Sequence, residues 1–156
     1  MKQEDKELLL KDLCARLPYG IKVKTLLKEP YTLKGLFDTE YGGVMGCLLG
    51  KFVTNNVSPK TTNYPLEQFK PYLFPLSSMT EEQFAELKVF ADLIYESDTL
   101  ELVEWNDNYK TLEFWLEEVP SYCVIKVFDW LNKNHFDYRS LIEKGLAIDA
   151  TGLNIY

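Results

Sequence analysis

The hydrophobic pattern of this chain changes period at Pro18, from the spacing of a helix to that of a strand. Before the proline, leucines recur at helical spacing over 4–17, which predicts an amphipathic helix that Pro18 ends. After it, apolar residues alternate with lysines over 21–28, the period of a half-buried strand. A chain that contains both periods is expected to form an α+β fold.

The region 19–76 is expected to hold several short strands, which form either a small antiparallel sheet or an SH3-like barrel. Alternation resumes over 31–37, and the apolar run 44–53 follows it. Glycines inside that run indicate a bulge or a close approach of the backbone to a neighbour. The last part, 66–76, contains two prolines and is predicted to be irregular or to lie at a sheet edge.

A capping box begins the central helix, which is predicted over 80–96. In this motif the Thr80 hydroxyl accepts a hydrogen bond from the Gln83 amide, while the Gln83 side chain accepts one from the Thr80 N–H. The acidic residues Glu81 and Glu82 follow at the positive end of the helix dipole, where negative charge is stabilising. This is the strongest local signal for a helix in the chain.

The segment 99–118 is predicted to be a β-hairpin around the turn signal Asn106-Asp-Asn108. The alternative is a helical second arm over 109–118, because its apolar residues are also in helical phase. We favour the hairpin.

The C-terminal part, 120–149, is predicted to form two capped helices and a short strand. Pro120 can start the first helix, whose apolar stripe includes His135. Asp137 is interpreted as the N-cap of the second helix and Gly145 as its C′ residue. Structural roles are accordingly assigned to Thr80, Gln83, His135, Asp137, Arg139 and Gly145.

Length and composition indicate one globular domain over 1–156, with 46% hydrophobic and 26% charged residues. No run approaches the roughly 20 apolar residues of a membrane-spanning helix. The charged first residues differ from a secretory signal. Three scattered cysteines, never spaced Cys-x-x-Cys, fit a reducing compartment. These observations predict a cytoplasmic protein with no membrane partner.

The sequence contains no recognised catalytic motif. His135 is the only histidine, so a metal site would need ligands of other types, and a histidine-activated cysteine would have to lie beside this one side chain. The run Gly42–Lys51 resembles a phosphate loop, but the spacing of its last two glycines is one residue short and Phe52 replaces the required serine or threonine. We therefore predict no catalytic residue, no metal and no cofactor, and favour a non-enzymatic protein.

The net charge of −7 is unevenly distributed. Residues 1–78 carry 11 Lys/Arg and 8 Asp/Glu, whereas residues 79–156 carry 6 and 16. Such a distribution either steers partners of opposite charge or lets the two halves complement each other. The acidic, aromatic half is predicted to bind a protein partner, and the candidate contacts are Glu101, Glu104, Trp105 and Glu117.

Lysines and tyrosines in the strand-rich region support an alternative function, a small-molecule or nucleotide site. The candidate ligand-binding residues are Lys22, Lys24, Tyr31 and Lys51. Basic, aromatic sheet faces also bind single-stranded nucleic acid through stacking and phosphate contacts. Arginine, the residue best suited to bidentate phosphate binding, is nearly absent, and this together with the overall acidity argues against nucleic acid.

Two segments, Lys70–Thr80 (KPYLFPLSSMT) and Asp129–Asp149 (DWLNKNHFDYRSLIEKGLAID), resemble a family of uncharacterised proteins encoded by phages, prophages and mobile elements of gut Bacteroidales bacteria. The resemblance implies an accessory role in a bacterial or viral setting and brings no activity, cofactor or catalytic residue with it. Position 140 is serine where the family is expected to carry glycine, which slightly weakens any claim that this position needs a special backbone angle. The resulting prediction is a non-enzymatic accessory protein that acts through protein–protein contact.

Overall fold

The computed structural model describes residues 1–26, 30–39, 43–49, 61–91, 103–106, 111–114 and 121–156. Within these ranges the chain forms three α-helices and nine β-strands, which confirms the predicted α+β class. The helices are α1 (Gln3–Arg16), α2 (Glu81–Phe90) and α3 (Ser121–Lys133). The strands are β1 (Lys22–Lys24), β2 (Tyr31–Asp38), β3 (Val44–Leu49), β4 (Thr61–Pro65), β5 (Lys70–Pro75), β6 (Val103–Asn106), β7 (Thr111–Phe114), β8 (Phe136–Asp137) and β9 (Ile148–Asp149).

The chain divides into two compact units, and the boundary falls inside β5. Unit 1 comprises Met1–Leu73 and Arg139–Tyr156, and therefore contains α1, β1 to β4, most of β5 and β9. Unit 2 comprises Phe74–Tyr138 and contains α2, α3 and β6 to β8. The single domain expected over 1–156 stays a prediction.

The sheet of unit 1 has the strand order β4-β3-β2-β1-β5, with every neighbouring pair antiparallel. β9 adds a parallel pair to β5. Across the described strands the sheet is not closed into a barrel, so the open-sheet alternative holds. Position 46 in β3 requires glycine, because a Cβ atom there would overlap the Phe69 ring. The close backbone approach predicted from the glycines is therefore present at this position.

α1 packs its leucine stripe on one face of this sheet. Leu9 and Leu13 are buried in a common cluster with Val23, Leu33 and Leu73. Full burial of a leucine stabilises the fold by about 2 kcal/mol, so two such residues hold α1 firmly on the sheet. The predicted helix over 4–17 is confirmed within one residue at each end.

In unit 2 the capping box is present at the start of α2. The Gln83 N–H donates to Thr80 Oγ1 at 3.2 Å, and the Thr80 N–H donates to Gln83 Oε1 at 3.0 Å. The structural roles predicted for Thr80 and Gln83 are thereby confirmed. α2 ends at Phe90 with Ala91 as its C-cap, which is earlier than the predicted end at 96, and residues 92–96 lie outside the described residues.

The predicted hairpin over 99–118 is confirmed where the structure describes it. β6 and β7 form an antiparallel pair, with register from Val103 opposite Phe114 to Asn106 opposite Thr111. The helical alternative for the second arm is therefore wrong as far as Phe114. The turn between the strands and both ends of the segment lie outside the described residues.

α2 and α3 enclose the core of unit 2. Buried residues of this core include Leu87, Cys123 and Trp130. The Trp130 ring stacks on Phe136 with a centroid distance of 5.7 Å and an interplanar angle of 10°. Its indole N–H donates to Glu86 Oε1 at 3.3 Å, so the buried ring satisfies its polar atom.

The predicted second C-terminal helix is replaced by consecutive turns. Asp137 is not a helix N-cap; it lies in β8, opposite Pro75. The reason is the backbone at Ser140, whose φ of +55° interrupts any right-handed helix begun at Asp137. Position 140 thus adopts a special backbone angle although it carries serine. The turn after Ser140 ends at Gly145.

Gly145 has the C′ role predicted for it, although it ends a single turn. Its φ is +69°, the left-handed conformation that glycine adopts without strain. The Gly145 N–H donates to the Ile142 carbonyl at 2.9 Å, and the Leu146 N–H donates to the Leu141 carbonyl at 2.8 Å. These two bonds are the pair that defines a Schellman motif.

Candidate functional site

His135 is a buried connecting residue in unit 2. Only 6% of its surface is exposed, and its φ is +61°, a region in which histidine is enriched among non-glycine residues. Its N–H donates to the Asn132 carbonyl at 3.2 Å, and its carbonyl accepts from the Phe74 N–H at 2.9 Å. The residue thus lies just after α3 and bonds both to its last turn and to β5, which agrees with the structural role assigned to it. Among the described residues no His, Cys, Asp or Glu side chains are grouped as a metal site.

The structure separates the predicted ligand-binding residues. Tyr31 lies opposite Val23 in the register of β1 and β2, and both side chains are buried in the core of unit 1. Lys22 and Lys24 flank Val23 in the strand, so they lie on the opposite face of the sheet. Tyr31 therefore does not join these two lysines in a ligand site. Lys51 is outside the described residues.

A third lysine joins Lys22 and Lys24 on that outer face. Lys70 lies directly opposite Lys24 in the register of β5 and β1, and both residues are exposed. The Lys22 ammonium group donates to Thr32 Oγ1 at 2.6 Å. We call Lys22, Lys24 and Lys70 the lysine face.

Sequence reasoning missed Lys70 because the neighbouring proline suggested an irregular segment. Pro71 instead lies within β5, opposite Val23. In an antiparallel ladder every second residue pair exchanges no backbone hydrogen bonds. Val23 and Pro71 form such a non-hydrogen-bonded pair, so the missing N–H of the proline costs the strand no hydrogen bond.

The next pair of this ladder would join Lys22 to Tyr72, but the Tyr156 hydroxyl lies between them. The Lys22 N–H donates to Tyr156 Oη at 3.2 Å, and the Tyr156 O–H donates to the Tyr72 carbonyl at 2.7 Å. Burial raises the pKa of the Tyr156 phenol, which keeps the proton that this second bond requires. One side chain thus replaces a backbone hydrogen bond of the sheet.

A buried ionic cluster connects α1 to the C-terminal part of unit 1. Arg16 Nε donates to Asp12 Oδ2 at 2.8 Å, and Arg139 Nη1 donates to Asp12 Oδ1 at 2.8 Å. The side chains of Asp12 and Arg16 have no exposed surface. Both carboxylate oxygens accept from guanidinium groups, so Asp12 is committed to holding the structure. This contact agrees with the structural role predicted for Arg139.

Asp12 and Arg16 were missed by the sequence analysis although a signal was present. The positions 9, 12, 13 and 16 follow the i, i+3, i+4, i+7 spacing of one helix face. The two charged residues therefore share the buried face with Leu9 and Leu13. A charge at a buried position of an apolar stripe indicates a buried partner.

The predicted interaction residues fall largely outside the described chain. Glu101 and Glu117 are not among the described residues. Glu104 and Trp105 lie in β6, opposite Glu113 and Leu112 respectively. Their place on a hairpin agrees with the sequence analysis, and their role in binding a protein stays a prediction.

The largest exposed apolar side chains of α3 lie along one side of the helix. Tyr122 is 51% exposed, Ile125 69% and Phe128 38%. The Lys126 ammonium group lies 5.7 Å from the centroid of the Tyr122 ring, and the Phe128 ring lies 5.0 Å from that of Tyr138. We call Tyr122, Ile125 and Phe128 the α3 face.

The α3 face is distinct from the side of the helix that packs in unit 2. The buried residues Cys123, Val127 and Trp130 occupy the other side of α3. Three apolar residues in succession at three-residue spacing are thus presented to solvent instead of the core. This surface is the candidate functional site.

Comparisons of the chain with protein-family models, curated proteins and solved structures find no match. Among the helices that the structure describes, none combines the length and the apolar composition needed to cross a bilayer.

Proposed function

We propose that the protein is a non-enzymatic accessory protein that binds another protein through the α3 face. The exposure of this face carries the proposal: Ile125, at its centre, is 69% exposed. Exposed apolar groups that lie next to one another mark binding surfaces more often than isolated ones do. Burial against a partner would stabilise a complex by about 2 kcal/mol for each large apolar side chain.

The charge of unit 2 supports a basic partner. Residues 74–138 contain 4 Lys/Arg and 14 Asp/Glu, a net charge of −10. On α3 itself the exposed Asp129 lies one helical turn after Ile125. Opposite charges around an apolar centre speed association and select the partner. The expected partner is a protein segment with apolar side chains at its centre and Lys/Arg around them.

The biological setting belongs to the same proposal. The resemblance of two segments to proteins of phages and mobile elements implies that the partner is a bacterial host protein or another protein of the element. The candidate contacts Glu101, Glu104, Trp105 and Glu117 fall within the sequence range of unit 2, and its net charge includes the three glutamates.

An affinity capture with single variants tests the proposal. The immobilised wild-type protein, Ile125→Asp and the matched control Leu26→Asp are each exposed to a lysate of Bacteroidales cells. Leu26 is 80% exposed and lies in unit 1, so the control makes the same change away from the α3 face. We expect basic proteins captured by the wild type and the control to be lost with Ile125→Asp. Removal of a central contact costs about 2 kcal/mol, or roughly 30-fold in affinity.

The captured partner is then purified and titrated against the three proteins. Both substitutions are at exposed positions, so each should change the free energy of unfolding by no more than about 0.5 kcal/mol. The melting temperatures of the two variants should therefore stay close to that of the wild type. Equal affinity for Ile125→Asp and the wild type would refute the proposal. Capture of no protein beyond the empty-resin background would refute it as well.

A further inference from the structure

We infer that the lysine face of unit 1 binds the phosphate backbone of a single-stranded nucleic acid. This surface is formed by β1 and β5 and shares no residue with the α3 face. The inference is therefore independent of the function proposed for unit 2.

The first observation is the direct opposition of two positive charges. Lys24 and Lys70 are cross-strand partners, which places their Cβ atoms about 5 Å apart. Like charges in this arrangement destabilise a sheet. Within the described part of the chain, neither lysine makes an ion pair with a carboxylate. An anion bound between the two ammonium groups would remove this repulsion.

The second observation is the linear arrangement of the charges. Lys22 and Lys24 are two residues apart in β1, which separates their Cα atoms by about 7 Å. The hydrogen bond from Lys22 to Thr32 Oγ1, at 2.6 Å, fixes one ammonium group on this face. Two cations about 7 Å apart along β1, with a third opposite Lys24, can contact more than one phosphate of an extended strand, which an isolated phosphate cannot offer.

The third observation is an aromatic residue that is bonded to the same pair of strands. Tyr156 is 44% exposed, and its hydroxyl lies 3.2 Å from the Lys22 backbone nitrogen. A base can stack on such a ring whatever its identity. Lysine acts on phosphate as a point charge without the fork of arginine, so this surface is expected to bind without sequence preference.

The charge of unit 1 is compatible with this ligand although the whole chain is acidic. Unit 1 contains 13 Lys/Arg and 10 Asp/Glu, a net charge of +3. Three lysines contact few phosphates, so the affinity should be weak, with a Kd on the order of 10⁻⁵ M at low salt. The logarithm of the binding constant should fall with the logarithm of the salt concentration with a slope of about −2.

Fluorescence anisotropy of a labelled oligo-dT single strand tests the inference. We compare the wild type with Lys24→Glu/Lys70→Glu, and with Lys2→Glu/Lys11→Glu as the matched control. Lys2 and Lys11 are exposed residues at and within α1, so the control changes the net charge equally at other positions of unit 1. We expect the first double variant to bind at least about tenfold more weakly and the control to bind within about twofold of the wild type.

Melting temperatures show that the test reports binding and not folding. Lys24→Glu alone creates an opposite-charge pair with Lys70, which should raise the melting temperature while weakening oligonucleotide binding. Equal losses in the two double variants, or no binding by the wild type at low salt, would overturn the inference. Equal affinity for a duplex of the same length would also overturn it. So would salt-sensitive self-association that depends on Lys24 and Lys70 without binding of the strand.

Discussion

Two residues with side chains adopt the left-handed backbone conformation after α3. These are His135, with φ +61°, and Ser140, with φ +55°. This conformation costs an L-residue about 1–2 kcal/mol relative to the right-handed region. His135 is buried and both of its backbone polar groups are hydrogen-bonded, whereas Ser140 is exposed and its carbonyl accepts from the Lys144 N–H at 3.1 Å. The exposed Ser140 side chain does not explain its left-handed conformation, so this conformation follows from the path of the backbone.

Substitution of Ser140 by glycine should stabilise the protein. Glycine removes the left-handed strain, and its greater freedom in the unfolded chain offsets part of the gain, which leaves up to about 1 kcal/mol. Ser140→Ala keeps the Cβ atom and should leave stability nearly unchanged. Urea denaturation of the two variants checks this expectation. A Ser140→Gly protein that is no more stable than Ser140→Ala would contradict it.

At the scale of the element, α1 carries charge on its buried face. Asp12 and Arg16 lie one turn apart between the leucines that pack on the sheet, and Arg139 reaches the same carboxylate. Two opposite charges in the interior are tolerated because each is paired at hydrogen-bond distance. The ionic cluster thereby specifies which face of α1 packs and joins the helix to a segment 127 residues later in the chain.

Removal of the central carboxylate should cost more than loss of a surface charge. In Asp12→Ala both guanidinium groups lose the buried anion they share, and breaking such a pair destabilises a protein by about 3–5 kcal/mol. The exposed Glu4, on the same helix, serves as the control: Glu4→Gln should cost no more than about 1 kcal/mol. Urea denaturation measures both. Similar midpoints for the two variants would show that the cluster contributes little.

At the scale of the whole molecule, Tyr156 connects distant parts of unit 1. Its hydroxyl bridges Lys22 and Tyr72, which are 134 and 84 residues away in sequence. Both bonds are to backbone atoms, so the bridge needs only the hydroxyl of residue 156. Because the phenol must donate to a carbonyl, the bridge depends on its protonated form.

The stability of the protein should fall at alkaline pH because of this bridge. Burial raises the pKa of Tyr156 above the 10.0 of an unperturbed phenol. The unfolded chain therefore releases this proton first, so the contribution of the bridge is complete below pH 10 and is lost as the pH rises above it. Tyr156→Phe should cost about 1–3 kcal/mol at pH 8, since a backbone N–H and a carbonyl lose their partner.

Melting temperatures between pH 8 and pH 11.5 check this prediction. The difference between the wild type and Tyr156→Phe should shrink as the pH rises through this range. Burial also raises the pKa of Tyr72, but that residue is present in both proteins and acts as an internal control. Parallel pH profiles of the two proteins would show that the Tyr156 proton is not linked to folding.

The features that the sequence predicted correctly are those governed by neighbouring residues. The change of period at Pro18 predicted α1 and the following strands, and the spacing of Thr80 and Gln83 predicted the start of α2. Gly145 was predicted as a C′ residue and is one, although it follows a turn and not the predicted helix. In each case the physical cause is contained within a few residues, because helical and strand periods, caps and turn glycines act through the local backbone. The sequence by itself thus determined the fold class, the position of α1, the start of α2 and the pairing of β6 with β7.

Only the tertiary structure decided which residues meet. In the folded chain Tyr31 is buried in the core, on the other face of the sheet from Lys22 and Lys24. Lys70 lies opposite Lys24, and Asp137 lies in a strand. These outcomes depend on strand register and on contacts between distant residues, which local patterns do not specify. A shift of one residue in register exchanges the two faces of a strand, and for that reason the surfaces available for binding emerged only with the folded chain.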